Sequence, residues 1–301
     1  MGLLSMLDLA GKDVVGILDL ADSVKASSER YRGFLSGKTL AMLFEKPSTR
    51  TRVSFEVAMV ELGGNALVLD AQDMQLGRGE SVADTARVLG GYVDGIMARV
   101  VRHETLDALA RFAGVPVING LSDREHPCQV LSDLFTIREV KNRLSGLNLA
   151  YVGDGNNVCN SLLIGCVLSG MNITVASPKK LRPDRFFVDK ATEIAGEKSV
   201  VRVVDDPAEA VSGADVVYSD VWVSMGDEAE REERLHLLRG YQVNSRLMAN
   251  AKGDAVFMHC LPAHRGEEVT DEVIDSERSV VWRQAENRLH VQKAVLLREM
   301  R

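Results

Sequence analysis

The stretch from Leu40 to Gly64, LAMLFEKPSTRTRVSFEVAMVELGG, constrains this chain more than any other. Leu40 to Phe44 is an unbroken apolar run, the pattern of a strand buried on both faces. Pro47 ends it. Val53, Val57 and Val60 then recur at helical spacing, with Phe55, Met59 and Leu62 beside them, until Gly63-Gly64 stops the helix. Ser48-Thr49-Arg50-Thr51-Arg52 therefore sits where a strand hands over to the first turn of a helix. That turn offers unpaired backbone N–H groups and the positive end of the helix dipole. Hydroxyls at 48, 49 and 51 with guanidinium groups at 50 and 52 make an oxyanion site there, most naturally for a phosphate. The plainer reading is a capping serine with solvated arginines, but a cap needs one hydroxyl and this segment brings three.

Strand and helix patterns alternate along the rest of the chain, which predicts α/β architecture with parallel sheets. A helical region from Met6 to Phe34 precedes the central stretch. After it come a strand at 65–70, a polar glycine-bearing loop at 73–80 that reads as mobile, and a helix capped by Ser81. Strands follow at 95–100 and 115–119, separated by a helix near 106–113, and a long helix runs from Pro127 to Val140. A boundary is expected around 141–146. The second series has strands at 147–152, 171–176, 200–204, 215–219, 255–259 and 279–282, a helix at 158–168 and a final amphipathic helix at 285–300. Residues 224–233 are charged and aperiodic, and read as a flexible loop.

The length of 301 residues suits two domains, and 46% hydrophobic with 26% charged residues is the balance of a globular protein. A formal charge of −7 argues against nucleic acid as a partner and makes a local pair of arginines more telling. Cys128, Cys159, Cys166 and Cys260 show no framework spacing, so reduced thiols in a cytoplasmic protein are expected. No apolar run reaches membrane-spanning length, and the first residues carry no basic leader.

Phe44 to Arg52 resembles the carbamoyl-phosphate signature of the transcarbamylases, the aspartate/ornithine carbamoyltransferase family. His126-Pro127-Cys128-Gln129, the segment from Asp220 to Gly226 and His259-Cys260-Leu261-Pro262-Ala263 extend the resemblance over nearly the whole chain, toward the branch that uses ornithine. It implies two doubly wound parallel-sheet domains linked by long helices. The first, 1–140 joined by the helix 285–301, would bind carbamoyl phosphate; the second, 146–284, would bind ornithine. The reaction implied is carbamoyl transfer to the δ-amine of L-ornithine, giving citrulline in arginine metabolism, without metal or cofactor. The family is built of trimers, so a homotrimer or a multiple of trimers is expected, with no membrane partner.

The resemblance also distributes roles. Ser48, Thr49, Arg50, Thr51, Arg99 and Arg288 would hold the phosphate, with Gln75 reaching a neighbouring subunit's site. His126 would face the developing oxyanion and Gln129 the carbamoyl amide, while Cys260 and Leu261 would contact the reacting groups. Cys260 is also a candidate proton acceptor. Arg50, Arg99, His126, Gln129 and Cys260 form the implied catalytic set. Asn157, Asp220, Ser224 and Met225 would bind ornithine, with closure of the Ser224 loop expelling water. Arg78 could imitate a lysine that aspartate enzymes carry in the corresponding loop.

Other readings of the same residues stay open at this level. Gly153-Asp154-Gly155-Asn156-Asn157 follows a strand and opens a helix, but the sixth position is Val158, so it departs from a dinucleotide fingerprint. His259 and His264 could be a metal pair, or Cys260 a nucleophile with a histidine base. Asp220 could be an ordinary N-cap and His126 a structural histidine. For the second substrate, aspartate requires a cation that its enzymes draw from Pro-Leu-Pro-Arg, and here Ala263 stands at the fourth place. Losing a bidentate partner for a buried carboxylate costs on the order of 2–5 kcal/mol, which favours ornithine. Putrescine and N-acetylornithine remain as alternatives, as does a silent ligand-sensing relative.

Overall fold

A computed structural model of the chain describes residues 2–223 and 228–301. By internal packing these fall into two compact units, Met1–Ser132 with Asn287–Arg301 and Asp133–Glu286. The division passes within two helices, Pro127–Lys141 and Val281–Met300.

The first unit runs α1 (Gly11–Ala26), β1 (Thr39–Phe44), α2 (Thr49–Glu61), β2 (Asn65–Asp70), α3 (Val82–Gly90), β3 (Gly95–Arg99), α4 (His103–Phe112), β4 (Val117–Leu121) and the start of α5 (Pro127–Lys141). Its strands pair in parallel in the order β2-β1-β3-β4. Central β1 and β3 are apolar and buried along most of their length, whereas edge strand β2 alternates between exposed and half-buried residues. Ala41, Leu43, Ile96 and Ala98 pack with Leu106 and Leu109 of α4 and Ala86 of α3 to form one core. The strand order reverses between β1 and β3, and Phe44 pairs with Arg99 at their carboxyl ends. A doubly wound sheet binds ligands at such a reversal.

The second unit runs β5 (Asn148–Val152), α6 (Asn157–Leu168), β6 (Asn172–Ala176), α7 (Arg185–Ala195), β7 (Val201–Val204), α8 (Pro207–Val211), β8 (Val216–Ser219), α9 (Arg231–Leu238), α10 (Ser245–Met248), β9 (Val256–His259), α11 (Asp271–Ile274) and the start of α12 (Val281–Met300). Its parallel order is β7-β6-β5-β8-β9. Helix α6 is buried along nearly its full length, which explains its apolar sequence. Here the reversal lies between β5 and β8, where Val152 pairs with Ser219. Gly153 to Asn157 and Asp220 follow directly from those strand ends.

Two expectations are corrected. Residues 279–282 are not a strand. Ser279 makes a single bridge beside Phe257, and Val281 already begins α12. A short β-branched run cannot be told from the start of a buried helix by periodicity. The charged segment is also not loop to residue 233, because Glu228–Glu230 forms a 3-10 turn and α9 begins at Arg231. Its polar face is held by an Arg234–Glu230 pair one turn apart, while Leu235 and Leu238 pack against Trp222 and Val223.

Gly155 shows why the β5–α6 turn needs a glycine, since a Cβ there would lie 2.1 Å from the backbone nitrogen of Pro183. Gly155→Ala is expected to destabilise the protein by about 1–3 kcal/mol in urea unfolding. Gly16→Ala, in open space on α1, should be neutral or stabilising by up to about 1 kcal/mol. Equal effects at the two positions would contradict the close approach.

Candidate active site

In the first unit the β1–α2 turn places Ser48 to Arg52 at the start of α2. Ser48 is the N-cap of α2 and its hydroxyl accepts from the Thr51 N–H at 3.3 Å. Thr51 is fully buried, and its hydroxyl accepts from Arg288 Nη2 at 2.9 Å. Arg288, on α12, also donates from Nη1 to Gln129 Oε1 at 3.1 Å. Arg99 at the end of β3, His126 ahead of α5 and Gln129 in its first turn are all buried. The turn and the strand end are tied together by Glu45, whose N–H donates to the Arg99 carbonyl and whose carboxylate accepts from the Val101 N–H. Burial, then the charges of Arg288 and Arg99, hold His126 well below the usual histidine range. It is a neutral imidazole at physiological pH, able to donate one hydrogen bond without first losing a proton.

Arg50 lies half-buried in the first turn of α2, and Thr49 beside it is exposed. Arg52 differs from the sequence reading. It faces solvent and pairs at 3.9 Å with Glu56 one turn on, whereas Arg50 is half-buried. Gln75 and Arg78 lie exposed in a 3-10 turn (Gln75–Arg78).

In the second unit Asp220 is the hub. Its Oδ1 accepts from the Cys260 thiol at 2.9 Å and from the Val221 N–H at 2.8 Å. Its Oδ2 accepts from Asn156 Nδ2 at 2.7 Å. Asp220 is thus no helix cap. Asn157 is half-buried at the start of α6, while Ser224 and Met225 lie outside the described residues. Leu261 has a positive φ of 59°, and its N–H donates to His259 Nδ1 at 2.9 Å. The other ring nitrogen, Nε2, faces fully buried Glu268 at 3.1 Å. Because Nδ1 accepts, the ring proton sits on Nε2, and both nitrogens of His259 are engaged. Among the described residues His259 and His264 share no cluster of three or more side chains able to hold a metal.

Three residues here escaped the sequence reading. Asn156 rather than Asn157 caps α6 and holds Asp220. Glu268 fixes the ring of His259 from nine residues away. Arg234 of α9 donates to Asp154 at 3.0 Å, closing the same turn. No periodic or spacing signal marks any of them. Only the adjacent asparagines announced that one would cap.

Two family models cover the chain. The carbamoyl-phosphate-binding domain of aspartate/ornithine carbamoyltransferase matches residues 2–139, and the aspartate/ornithine-binding domain matches 145–298. The chain belongs to the aspartate/ornithine carbamoyltransferase family. It is 58% identical over 299 residues to ornithine carbamoyltransferase of Methanoculleus marisnigri, covering 98% of this chain and 95% of that one. It is 54% identical to the Bacillus subtilis enzyme of the same name, covering 98% and 92%. Among solved structures it is similar to ornithine carbamoyltransferase from Pyrococcus furiosus, with a TM-score of 0.96, 55% identity and coverage of 99% and 96%. The doubly wound transcarbamylase fold expected from the motifs is therefore the fold of this chain.

Within this family member the four thiols differ sharply in environment. Cys128, Cys159 and Cys166 are fully buried, and burial pushes each thiol up, Cys128 to about 12. Cys260 alone is half-buried. A thiol reagent should label about one cysteine per native chain, with none labelled in Cys260→Ser. Labelling that survives this substitution would contradict the assignment. His126 generates a second expectation. The unfolded chain takes up a proton near pH 6.5 that folded His126 refuses, so this stability is complete above that pH and lost as pH falls below it. His126→Asn should flatten the acid side of the stability profile, and an unchanged slope would refute the buried neutral ring.

Proposed function

We propose that this chain is an ornithine carbamoyltransferase, transferring the carbamoyl group of carbamoyl phosphate to the δ-amine of L-ornithine and releasing L-citrulline and phosphate. The observation that carries the choice of amine is the Asp220–Cys260 pair together with Ala263, where an aspartate-specific site needs an arginine. The names and near full-length identity of the relatives support the same reaction, which belongs to arginine metabolism.

The domain limits follow the sequence reading, with 1–140 and the helix 285–301 binding carbamoyl phosphate and 146–284 binding ornithine. Arg50, Arg99 and Arg288 neutralise the doubly charged phosphate, while Ser48, Thr49 and Thr51 orient it. Gln129 takes the carbamoyl amide. His126 donates to the oxygen that becomes anionic as the amine attacks, and Arg99 shares that charge. Asp220 takes the ammonium at the amino-acid end of ornithine, with Asn157, Ser224 and Met225 beside it, and Cys260 and Leu261 line the approach of the δ-amine. The amine must be uncharged to attack, so the rate rises with pH through its bound pKa.

Assembly as a homotrimer fits the first unit's surface, where Val53 and Val60 of α2 and Leu67 of edge strand β2 lie in water. Such an apolar stretch is suited to a second copy, and Gln75 would then serve a neighbouring copy's phosphate site. Free thiols support a cytoplasmic location. Among the described residues no helix is long and apolar enough to cross a membrane.

Carbamoylation measured side by side with ornithine, putrescine, N-acetylornithine and aspartate tests the reading. Ornithine should be preferred by at least about a hundredfold in kcat/KM over each competitor, the scale expected when a buried polar group loses its partner. Arg50→Ala should lose about 2–4 kcal/mol of transition-state stabilisation with its circular dichroism unchanged. Turnover of aspartate in preference to ornithine, or near-native turnover in Arg50→Ala, would overturn it.

A further inference from the structure

The Asp220 carboxylate is held by a residue to which neither the sequence motifs nor the reaction gives a role. Asn156 uses its two amide atoms for different tasks. Oδ1 accepts from the Val158 and Cys159 N–H groups at 3.0 and 3.2 Å, capping α6. Those donors leave Nδ2 as the atom facing Asp220, so the orientation of the amide is dictated from both sides. The Tyr151 hydroxyl, 3.3 Å from Oδ1, donates to the Asp154 carbonyl at 2.7 Å, and Arg234 grips the Asp154 carboxylate. Burial pushes the Tyr151 phenol well up, so it stays a neutral donor. The amide is therefore fixed by the helix terminus, and braced by a buried ring beside a loop that is itself tied to α9.

A carboxylate offers about four lone-pair directions. At Asp220 the Cys260 thiol and the Val221 N–H take two on Oδ1, and Asn156 takes one on Oδ2. Among the described residues one direction on Oδ2 is left to receive an ammonium. Rotation about the Cβ–Cγ bond of an aspartate is otherwise soft.

We propose that Asn156 is a positioning residue that fixes the rotation of the Asp220 carboxylate, and so sets both the affinity for the amino-acid substrate and the hydrogen bond that restrains the Cys260 thiol. The kinetic half of this rests on the ornithine reading above; the thiol half does not. Asn156→Ser and Asn156→Asp both keep a side chain that caps helices well. Serine removes the donor to Asp220. Aspartate removes it and sets a second carboxylate against the first, an arrangement in which one of the two holds a proton to higher pH.

The experiment measures, for wild type and both variants, KM for each substrate, the pH profile of kcat/KM for ornithine, and the pH midpoint of Cys260 alkylation. The expected result is a rise of about tenfold or more in KM for ornithine in both variants, the scale of a lost hydrogen bond to a charged group. KM for carbamoyl phosphate should stay within about twofold, since its residues belong to the other unit. Asn156→Asp alone should move the acid limb of the pH profile upward and raise the midpoint of alkylation by about one pH unit, through the added negative charge. If wild type does not carbamoylate ornithine, the functional reading fails, and the alkylation midpoint still decides the role of Asn156. An unmoved midpoint in Asn156→Asp overturns the proposal. So does a parallel rise in both KM values accompanied by a lowered Tm, which is the signature of a cap and nothing more.

Discussion

Arg288 is buried, and it donates hydrogen bonds to two neutral acceptors, Thr51 and Gln129. Bonds to neutral acceptors orient a guanidinium without themselves cancelling its charge. The same field reaches His126, where Arg288 and Arg99 both oppose protonation. A protein with a formal charge of −7 has thus gathered positive charge at one buried point of its first unit. An anion arriving there gains from both guanidinium groups. The doubly wound sheet makes that arrangement attainable, because the reversal between β1 and β3 brings the turn after Phe44 and the end of β3 side by side.

The second unit answers with the opposite sign. Its own reversal, between β5 and β8, places the Asn156 turn beside Asp220. Cys260 joins them from the end of β9, where His259 and Glu268 hold the chain through the ring and the Leu261 N–H. The thiol donates to Asp220, so at rest it carries its proton rather than awaiting one. A group in that state can guide an incoming amine, and can take part in proton transfer only after that hydrogen bond is given up.

How much of this was legible in the sequence depended on the kind of signal. Buried parallel strands announce themselves as apolar runs, and β1, β5 and β6 stand within a residue of where those runs begin and end. The turn at Ser48 was legible because proline, hydroxyls and arginines crowd one boundary. Alternation fails where it is short, as at 279–282, and charge misleads where i,i+4 pairs stabilise a helix, as in α9. Arg52 looked equivalent to Arg50 in composition, but two further residues around a helix turn a side chain by about 200°, here toward Glu56 and water. Asn156 and Glu268 were out of reach for another reason. Their partners lie 64 and 9 residues away, and only the folded sheet edge brings them together.

The central claim is that a cationic pocket in the first unit exists to hold carbamoyl phosphate. Calorimetric titration with carbamoyl phosphate in the absence of any amine tests it directly, using wild type, Arg99→Met and Arg288→Met. Saturable binding in wild type, weakened at least about tenfold in each variant, is the predicted result, since each variant deletes one charge from the pocket. Equal affinity in all three proteins would contradict it.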